Sequence, residues 1–358
     1  MAKKALIVGI NAYPSAPLRG CVNDANMMSE MLTKQFGFST KEKRMLTDEA
    51  ATTANILERL DWLVKDAKAG DSLFFHFSGH GSQMIDSKYD SDEEPDGLDE
   101  ILCPVDLNWR DKVITDDMLK SIFNKVPAGV HLTVVTDCCH SGSILDHANQ
   151  YQPLGIGEAR EFGPDSPNRS RMLPMPADIA NRGMGLDLST RKLPVARDVD
   201  TTGMLVTGCQ SNQTSADAWI SNMYCGAATY SLISTLKRHN YDVSYKQLVD
   251  EMNQFMVTNR FSQRPELNGS AALFEEKFLG GKKPEGVEEE EPVVEEPSTP
   301  SQPEPNPPVI DTDPEGPAPS KPDDDDDDDG KKKDKKKIII AVVIVVVIAA
   351  VAIFGGGM

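Results

Sequence analysis

Cysteine is scarce in this sequence, and its few occurrences are not spaced for a disulfide framework or a structural zinc site. The 358 residues contain six cysteines, and no two of them form a Cys-x-x-Cys pair. Small disulfide-stabilised domains have a much higher density of cysteine, and structural zinc sites use closely spaced ligand pairs. All six are therefore predicted to be thiols in a reducing compartment.

Positive charge is also in short supply, which argues against binding to nucleic acid. The chain has 37 basic and 56 acidic residues, for a net charge of -19. A protein that binds nucleic acid needs a basic face to contact the phosphates. Acidic surfaces favour cationic partners instead, either basic side chains of peptides or metal ions.

The N-terminus lacks the features of a secretory signal. Its apolar run, Ala5–Ile10, is too short for a signal-peptide core, and no small-residue cleavage site follows it. This run is better interpreted as a buried first strand.

The C-terminal part differs in composition from the rest. Residues 281–337 are rich in Pro and Glu and include seven consecutive aspartates, so they are predicted to form a disordered tether. Residues 338–354 are apolar throughout and would span roughly 25 Å as a helix, the short end for a bilayer. Flanking lysines can extend that reach. A buried core helix or an aggregation-prone strand is the alternative, but we expect a single transmembrane helix.

The lysines before residue 338 lie on one side of this apolar segment. The positive-inside tendency then places residues 1–280 in the cytoplasm, with the chain anchored to the membrane by its tail.

Residues 1–280 show alternating strand and helix patterns, typical of an α/β fold whose mostly parallel sheet has helices on both faces. The predicted strands are 5–10, 42–46, 71–77, 131–137 and 203–208. The predicted helices are 22–36, 52–67, 115–125, 225–238 and 244–258. Asn23 and Asp24 suit the start of the first helix, and Thr115 suits the start of the third. In such folds the active site lies beyond the carboxyl ends of the strands.

Two of these strand ends carry residues suited to nucleophilic catalysis. The strand 71–77 runs into Gly79-His80-Gly81, and the strand 131–137 runs into Cys138-Cys139. If the strands are neighbours, an imidazole can ionise a thiol and later protonate a leaving amine. Backbone N–H groups of Cys139 and Gly81 could stabilise an oxyanion. Either half alone is weak evidence, because Gly-His-Gly loops are common and a buried cysteine is usually inert packing.

The motifs are more specific than the residue types. The segments 78–82 (Ser-Gly-His-Gly-Ser) and 137–142 (Asp-Cys-Cys-His-Ser-Gly) strongly resemble the two signatures of metacaspases, the caspase-related cysteine peptidases of plants, fungi and protists. Segments 18–24, 208–217 and 262–267 also match, so the resemblance covers residues 3 to 279. It implies a caspase-like sheet, with His80 as base and Cys139 as nucleophile. Cys138 leaves some ambiguity: it could be a redox partner or a small buried residue.

The resemblance also implies a specificity pocket. Asp24 and Asp137 match the acidic positions of the metacaspase pocket, with Cys21 and Ser78 beside them. Two carboxylates in one pocket attract Arg or Lys, so cleavage after Arg or Lys is expected. Taken alone, Asp24 could instead be a helix cap.

Calcium is the cofactor that the resemblance implies. The segment 90–100 is dense in acidic residues, which on their own often form only a solvated face. The family's calcium ligands match Asp99, Asp116, Asp117 and Asp146. Carboxylate oxygens are the ligands that calcium prefers, and binding would order loops near the nucleophile and activate the enzyme.

The linker between Asp146 and Thr201 contains several basic residues and is therefore a predicted site of self-cleavage, although the sequence does not identify the bond.

The full prediction is a monomer with a large region 1–146, a processing linker 147–201, a small region 202–280, the tether 281–337 and the membrane helix 338–354. The alternative is a catalytically weak scaffold with a caspase-like domain that binds partners at the membrane.

Overall fold

The computed structural model describes residues 1–85, 98–139, 150–151, 168–177, 179, 203–210 and 213–281. All of them belong to one compact unit, Met1–Glu290. The tether, the apolar segment 338–354 and Asp146 lie outside the described residues.

Strands and helices alternate along the described chain. The strands are β1 (Lys3–Gly9), β2 (Lys43–Thr47), β3 (Ser72–Ser78), β4 (Gly81–Ile85), β5 (Leu98–Leu102), β6 (Ile114–Thr115), β7 (His131–Asp137), β8 (Gln150–Tyr151), β9 (Arg169–Ser170), β10 (Gly203–Thr207), β11 (Ala216–Ile220), β12 (Met223–Gly226) and β13 (Glu266–Gly269). The longer helices are α1 (Cys21–Phe36), α2 (Thr53–Val64), α3 (Asp116–Phe123), α4 (Ala227–Arg238) and α5 (Tyr245–Thr258).

The central sheet has seven strands in the order β2-β1-β3-β7-β10-β13-β8. The first five pair in parallel, whereas β13 and β8 pair antiparallel at one side. This confirms the expected mostly parallel sheet. Because β7 pairs with β10, strands of the predicted large and small regions belong to one sheet.

The alternating side chains of β1 show why both faces of this sheet are covered. Ala5 and Ile7 belong to a core cluster shared with α1, α4 and α5, whereas Leu6 and Val8 belong to a cluster shared with α2 and α3. Successive strand residues point to opposite faces, so a continuous apolar run fits a strand buried on both sides. Each fully buried aliphatic side chain contributes about 1.5–3 kcal/mol.

The predicted starts of two helices had different outcomes. Thr115 caps α3, since its hydroxyl accepts a hydrogen bond from the backbone N–H of Met118. Asn23 and Asp24 lie in the first turn of the first helix, as predicted, although neither caps it. That helix begins at Cys21 after Gly20, without a side-chain cap, and Asp24 is buried inside its first turn. Its carboxylate instead contacts the guanidinium group of Arg171.

The short antiparallel strands were not predicted. β4, β5 and β6 form one three-stranded sheet, and β12, β11 and β9 form another. These strands have two to five residues, too short for a clear alternating pattern. β4 begins three residues after β3 ends, so the loop that carries His80 is held between two strands.

Candidate active site

The ends of β3 and β7 bring the two predicted catalytic residues to the same edge of the sheet. These strands are parallel neighbours, and their last register pair is Ser78 with Asp137. His80 and Cys139 each follow that pair by two residues. Both are buried, with His80 2% exposed and Cys139 fully covered.

Gly81 packs directly against the backbone of Cys139, and only glycine fits there. A Cβ atom on residue 81 would overlap the carbonyl group of Cys139. The backbone N–H of Gly81 donates a hydrogen bond of 2.9 Å to the carbonyl oxygen of Arg171. This N–H is one of the two donors expected from the sequence to stabilise an oxyanion.

His80 is held in one tautomer. Its Nε2 lies 2.7 Å from the carbonyl oxygen of Ala16, and a carbonyl only accepts, so Nε2 carries the hydrogen. Its Nδ1 is buried and has no hydrogen-bond partner among the described residues. Burial lowers the pKa of His80, although main-chain groups of Ala16 and Arg171 oppose this shift. A neutral imidazole with a free lone pair at Nδ1 can accept a proton.

The two adjacent cysteines have different surroundings. Cys138 belongs to the apolar core cluster on the α2 and α3 side of the sheet. The Sγ of Cys139 instead accepts a hydrogen bond of 3.1 Å from the backbone N–H of Ser215. This difference favours Cys139 as the reactive residue.

Three buried carboxylates, those of Asp24, Asp137 and Asp217, lie together at the same edge of the sheet. We call this site the acidic pocket. All three side chains are fully buried. The guanidinium group of Arg171 lies among them, 2.8 Å from Asp24, 3.2 Å from Asp137 and 3.1 Å from Asp217. Its Nη1 also donates 2.9 Å hydrogen bonds to the Ser78 hydroxyl and to the carbonyl oxygen of Asp137.

Backbone donors orient the carboxylates of this pocket. Asp24 accepts from the N–H of Gly226, at 2.9 Å to the nearer oxygen. Asp137 accepts from the N–H and the hydroxyl of Thr229, at 2.7 and 2.8 Å. The pocket is thus fixed by main-chain geometry and does not depend on Arg171 alone.

The Asp217 carboxylate is also oriented by the main chain. It accepts hydrogen bonds of 2.9 Å from the N–H groups of Arg19 and Gly20. Cys21, the fourth residue predicted for the pocket, is the first residue of α1 and is fully buried. Burial raises the pKa of its thiol well above the usual range, while Arg171 acts in the opposite direction.

The acidic pocket stabilises the positive charge of Arg171. Burial alone would lower the pKa of Arg171, but Asp137, Asp24 and Asp217 hold it above its usual value. Burial raises the pKa of Asp24 to about 6, with Arg171 opposing the shift. Three carboxylates in a buried site need a positive charge, because uncompensated buried charge is costly.

Arg171 belongs to an extended segment, Asn168–Leu173, which lies along the site. Its residues 169–170 form β9, which pairs antiparallel with β11. The N–H of Arg171 donates to the Ser215 carbonyl at 2.9 Å, and the N–H of Leu173 donates to the Gly81 carbonyl at 3.0 Å. The Arg171–Met172 peptide bond therefore lies between two strands that hold it extended, with its carbonyl at Gly81.

Three of the four predicted calcium ligands, Asp99, Asp116 and Asp117, lie within the described residues, whereas Asp146 does not. Asp99 and Asp116 are buried, and Asp117 is partly exposed. The Lys120 ammonium lies 3.1 Å from Asp116 and 3.9 Å from Asp117. No three His, Cys, Asp or Glu side chains among the described residues are arranged to hold a metal. The donor chemistry fits calcium, but these residues do not form its ligand set by themselves.

No helix within the described ranges is long and apolar enough to cross a membrane. The predicted membrane helix, 338–354, lies outside those ranges, so its assignment stays a prediction.

Sequence reasoning missed three features of the site. Asp217 had a visible signal, since it ends the matching segment 208–217. Arg171 was only one of several basic residues in the linker, and nothing in the sequence distinguished it. The Ala16 carbonyl is a main-chain group, which no side-chain motif could reveal.

Comparison with known proteins identifies the family. A family model described as "Metacaspase, peptidase C14 domain" matches residues 3–148. Metacaspase-1 of Ajellomyces capsulatus is 36% identical over 291 residues, covering 76% of this chain and 80% of the relative. Metacaspase-1A of Aspergillus terreus is 35% identical over 297 residues, covering 76% of this chain and 71% of the relative.

Among solved structures, protein GSU0716 from Geobacter sulfurreducens superposes with a TM-score of 0.53 at 24% identity, over 79% of this chain and all of that protein. This likeness concerns the fold alone. The fold, the adjacent His80 and Cys139 loops and the curated relatives lead to one conclusion: this chain belongs to the metacaspases, a family of caspase-like cysteine endopeptidases.

Proposed function

We propose that this metacaspase is a calcium-activated endopeptidase that cleaves after Arg or Lys, cuts its own linker after Arg171 and is anchored to a membrane by residues 338–354. One observation carries the specificity and the self-cleavage. The side chain of Arg171 fills the acidic pocket while its carbonyl oxygen accepts a hydrogen bond from Gly81, beside Cys139. Arg171 is therefore bound as the residue before a cut would be.

In the proposed reaction, Nδ1 of His80 takes the Cys139 thiol proton, and the thiolate attacks the carbonyl carbon of the arginine. The Gly81 N–H stabilises the resulting oxyanion. The imidazolium then protonates the departing amide nitrogen, which leaves a thioester on Cys139. Water hydrolyses this thioester with His80 as base, which releases the carboxylate and restores the thiol.

A panel of short peptides tests the specificity of the full-length protein. We expect cleavage after Arg, slower cleavage after Lys and none after Asp. Lysine has a compact charge that cannot contact several carboxylates as a guanidinium does.

Cys139→Ala should lower kcat/KM at least about 1000-fold, since the nucleophile is removed. Cys138→Ala is the matched control and should retain activity; the reverse result would contradict the assignment.

The calcium part of the proposal is supported by the family resemblance and by the acidic residues around α3. We expect activity on Arg peptides to fall at least about tenfold in excess chelator and to return when calcium is added. Asp116→Asn should raise the calcium concentration needed for half-maximal activity, because a buried carboxylate is lost. Asp242→Asn, at an exposed ion pair with Lys277, is the control. Full activity in chelator would overturn this part.

The membrane anchor can be tested separately. The full-length chain should sediment with vesicles and resist extraction at high pH, whereas a chain ending at Gly281 should remain in the supernatant and keep its peptidase activity. Sedimentation of the shortened chain with vesicles would place the membrane-binding determinant elsewhere.

A further inference from the structure

The residues after Arg171, like those before it, have defined hydrogen-bond and strand partners. Met172 forms a parallel bridge with Gly81, and the N–H of Leu173 donates to the Gly81 carbonyl at 3.0 Å. The Ser82 hydroxyl donates a hydrogen bond to the carbonyl oxygen of Leu173. Arg171 and the two residues after it are therefore held by Gly81 and Ser82, at the start of β4.

The two side chains after Arg171 differ in burial. Met172 is 39% exposed. Leu173 is half-buried and packs against the core cluster on the α2 and α3 side of the sheet. Met84 packs on that same cluster, and it shares the face of β4 with Ser82 because strand side chains alternate. An apolar surface thus receives the second residue after the cut, whereas the first faces solvent.

We propose that the enzyme has an apolar subsite for the second residue after the cleaved bond, occupied here by Leu173 and completed by the Ser82 hydroxyl. This inference rests on the proposed cleavage after Arg. It narrows the substrate class to extended segments in which an arginine is followed, two positions later, by an aliphatic residue.

The subsite has a clear kinetic consequence. Moving a charged side chain into an apolar site costs its hydration, whereas an exposed position tolerates it. For peptides with the sequence of residues 168–175, replacing the leucine by aspartate should lower kcat/KM at least about tenfold. Replacing the methionine before it by aspartate should change kcat/KM less than about threefold.

Two measurements on the full-length calcium-loaded protein test this proposal. The first is kcat/KM for the parent peptide and its two aspartate variants. The second is the rate of self-cleavage after Arg171 in the Leu173→Asp and Met172→Asp proteins. It is followed by the appearance of a chain that begins at residue 172. Ser82→Ala should reduce cleavage of the parent peptide about threefold to tenfold, through loss of one hydrogen bond.

The outcomes distinguish failure of the subsite from failure of the proposed cleavage after Arg. Similar kcat/KM for all three peptides would overturn the subsite and leave cleavage after Arg intact. A larger loss from the change at methionine than at leucine would also overturn it. If no peptide is cut after Arg, the proposed function itself fails, and the subsite with it.

Discussion

Replacing Arg171 by glutamine is expected to abolish linker cleavage, so that no chain beginning at Met172 forms after calcium is added. The guanidinium is the group that the three pocket carboxylates contact, and glutamine has no charge to offer them. Intact-mass and N-terminal analysis over time would measure the cut. Arg171→Lys should still be cut, about tenfold more slowly, because it keeps the charge but loses the fork of donors.

Arg169→Gln provides the matched control, because this arginine lies in the same extended segment, two residues earlier. Its Nη1 contacts the Pro17 carbonyl at 2.7 Å and not the acidic pocket. Cleavage after residue 171 should therefore continue in this variant. Efficient cutting of Arg171→Gln at the same bond would show that the pocket does not select the cleaved bond.

The Arg171→Gln protein should nevertheless cleave free Arg peptides at least as fast as the uncut wild type. A tethered segment competes with free substrate at an effective concentration in the millimolar range for short linkers. Removing its arginine vacates the pocket for the peptide. A folded variant with no activity on free peptides would contradict a purely competitive role for Arg171.

The second large effect is expected at Asp217, which the sequence did not single out. Asp217→Asn should lower kcat/KM for Arg peptides about 100-fold, since one of three buried partners of the guanidinium becomes neutral. Alkylation of Cys139 by a small uncharged reagent should be little changed, because Asp217 acts on the side chain of the substrate and not on the thiol.

Asp242→Asn, at the exposed pair with Lys277, is the control for a general effect of charge. It should leave kcat/KM for Arg peptides within about twofold of wild type. Equal losses of Arg cleavage and of Cys139 alkylation in Asp217→Asn would indicate a structural role for this residue and contradict a role in specificity.

The regular elements were predictable because the sequence pattern and the core agree. In β1 every apolar residue is buried on one face or the other, and Thr115 caps α3 by purely local hydrogen bonding. Asp24 shows the limit of such reasoning. A carboxylate near a helix start suits a cap, but here it is directed to a guanidinium 147 residues away in the chain.

Site residues that belong to sequence motifs were predictable. Site residues that come together only through the pairing of distant segments were not. Ser78 and Asp137 form a register pair, so parallel pairing of β3 and β7 was enough to unite the His80 and Cys139 loops. Asp217 and Arg171 reach the pocket through β11 and β9, which are short strands without a sequence pattern of their own. Their role depends on tertiary pairing, which local propensity does not encode.

Covalent labelling tests the central claim most directly, namely that the acidic pocket presents a basic residue to Cys139. The full-length protein with calcium is treated with a thiol-reactive probe that carries one arginine, and the adduct is located by peptide mass spectrometry. The account predicts an adduct on Cys139. The amount of this adduct should be at least about tenfold lower in the Asp217→Asn protein, and little adduct should form with a probe that carries aspartate instead of arginine. An adduct mainly on Cys138, or none on the folded protein, would contradict it, and the latter would favour a scaffold.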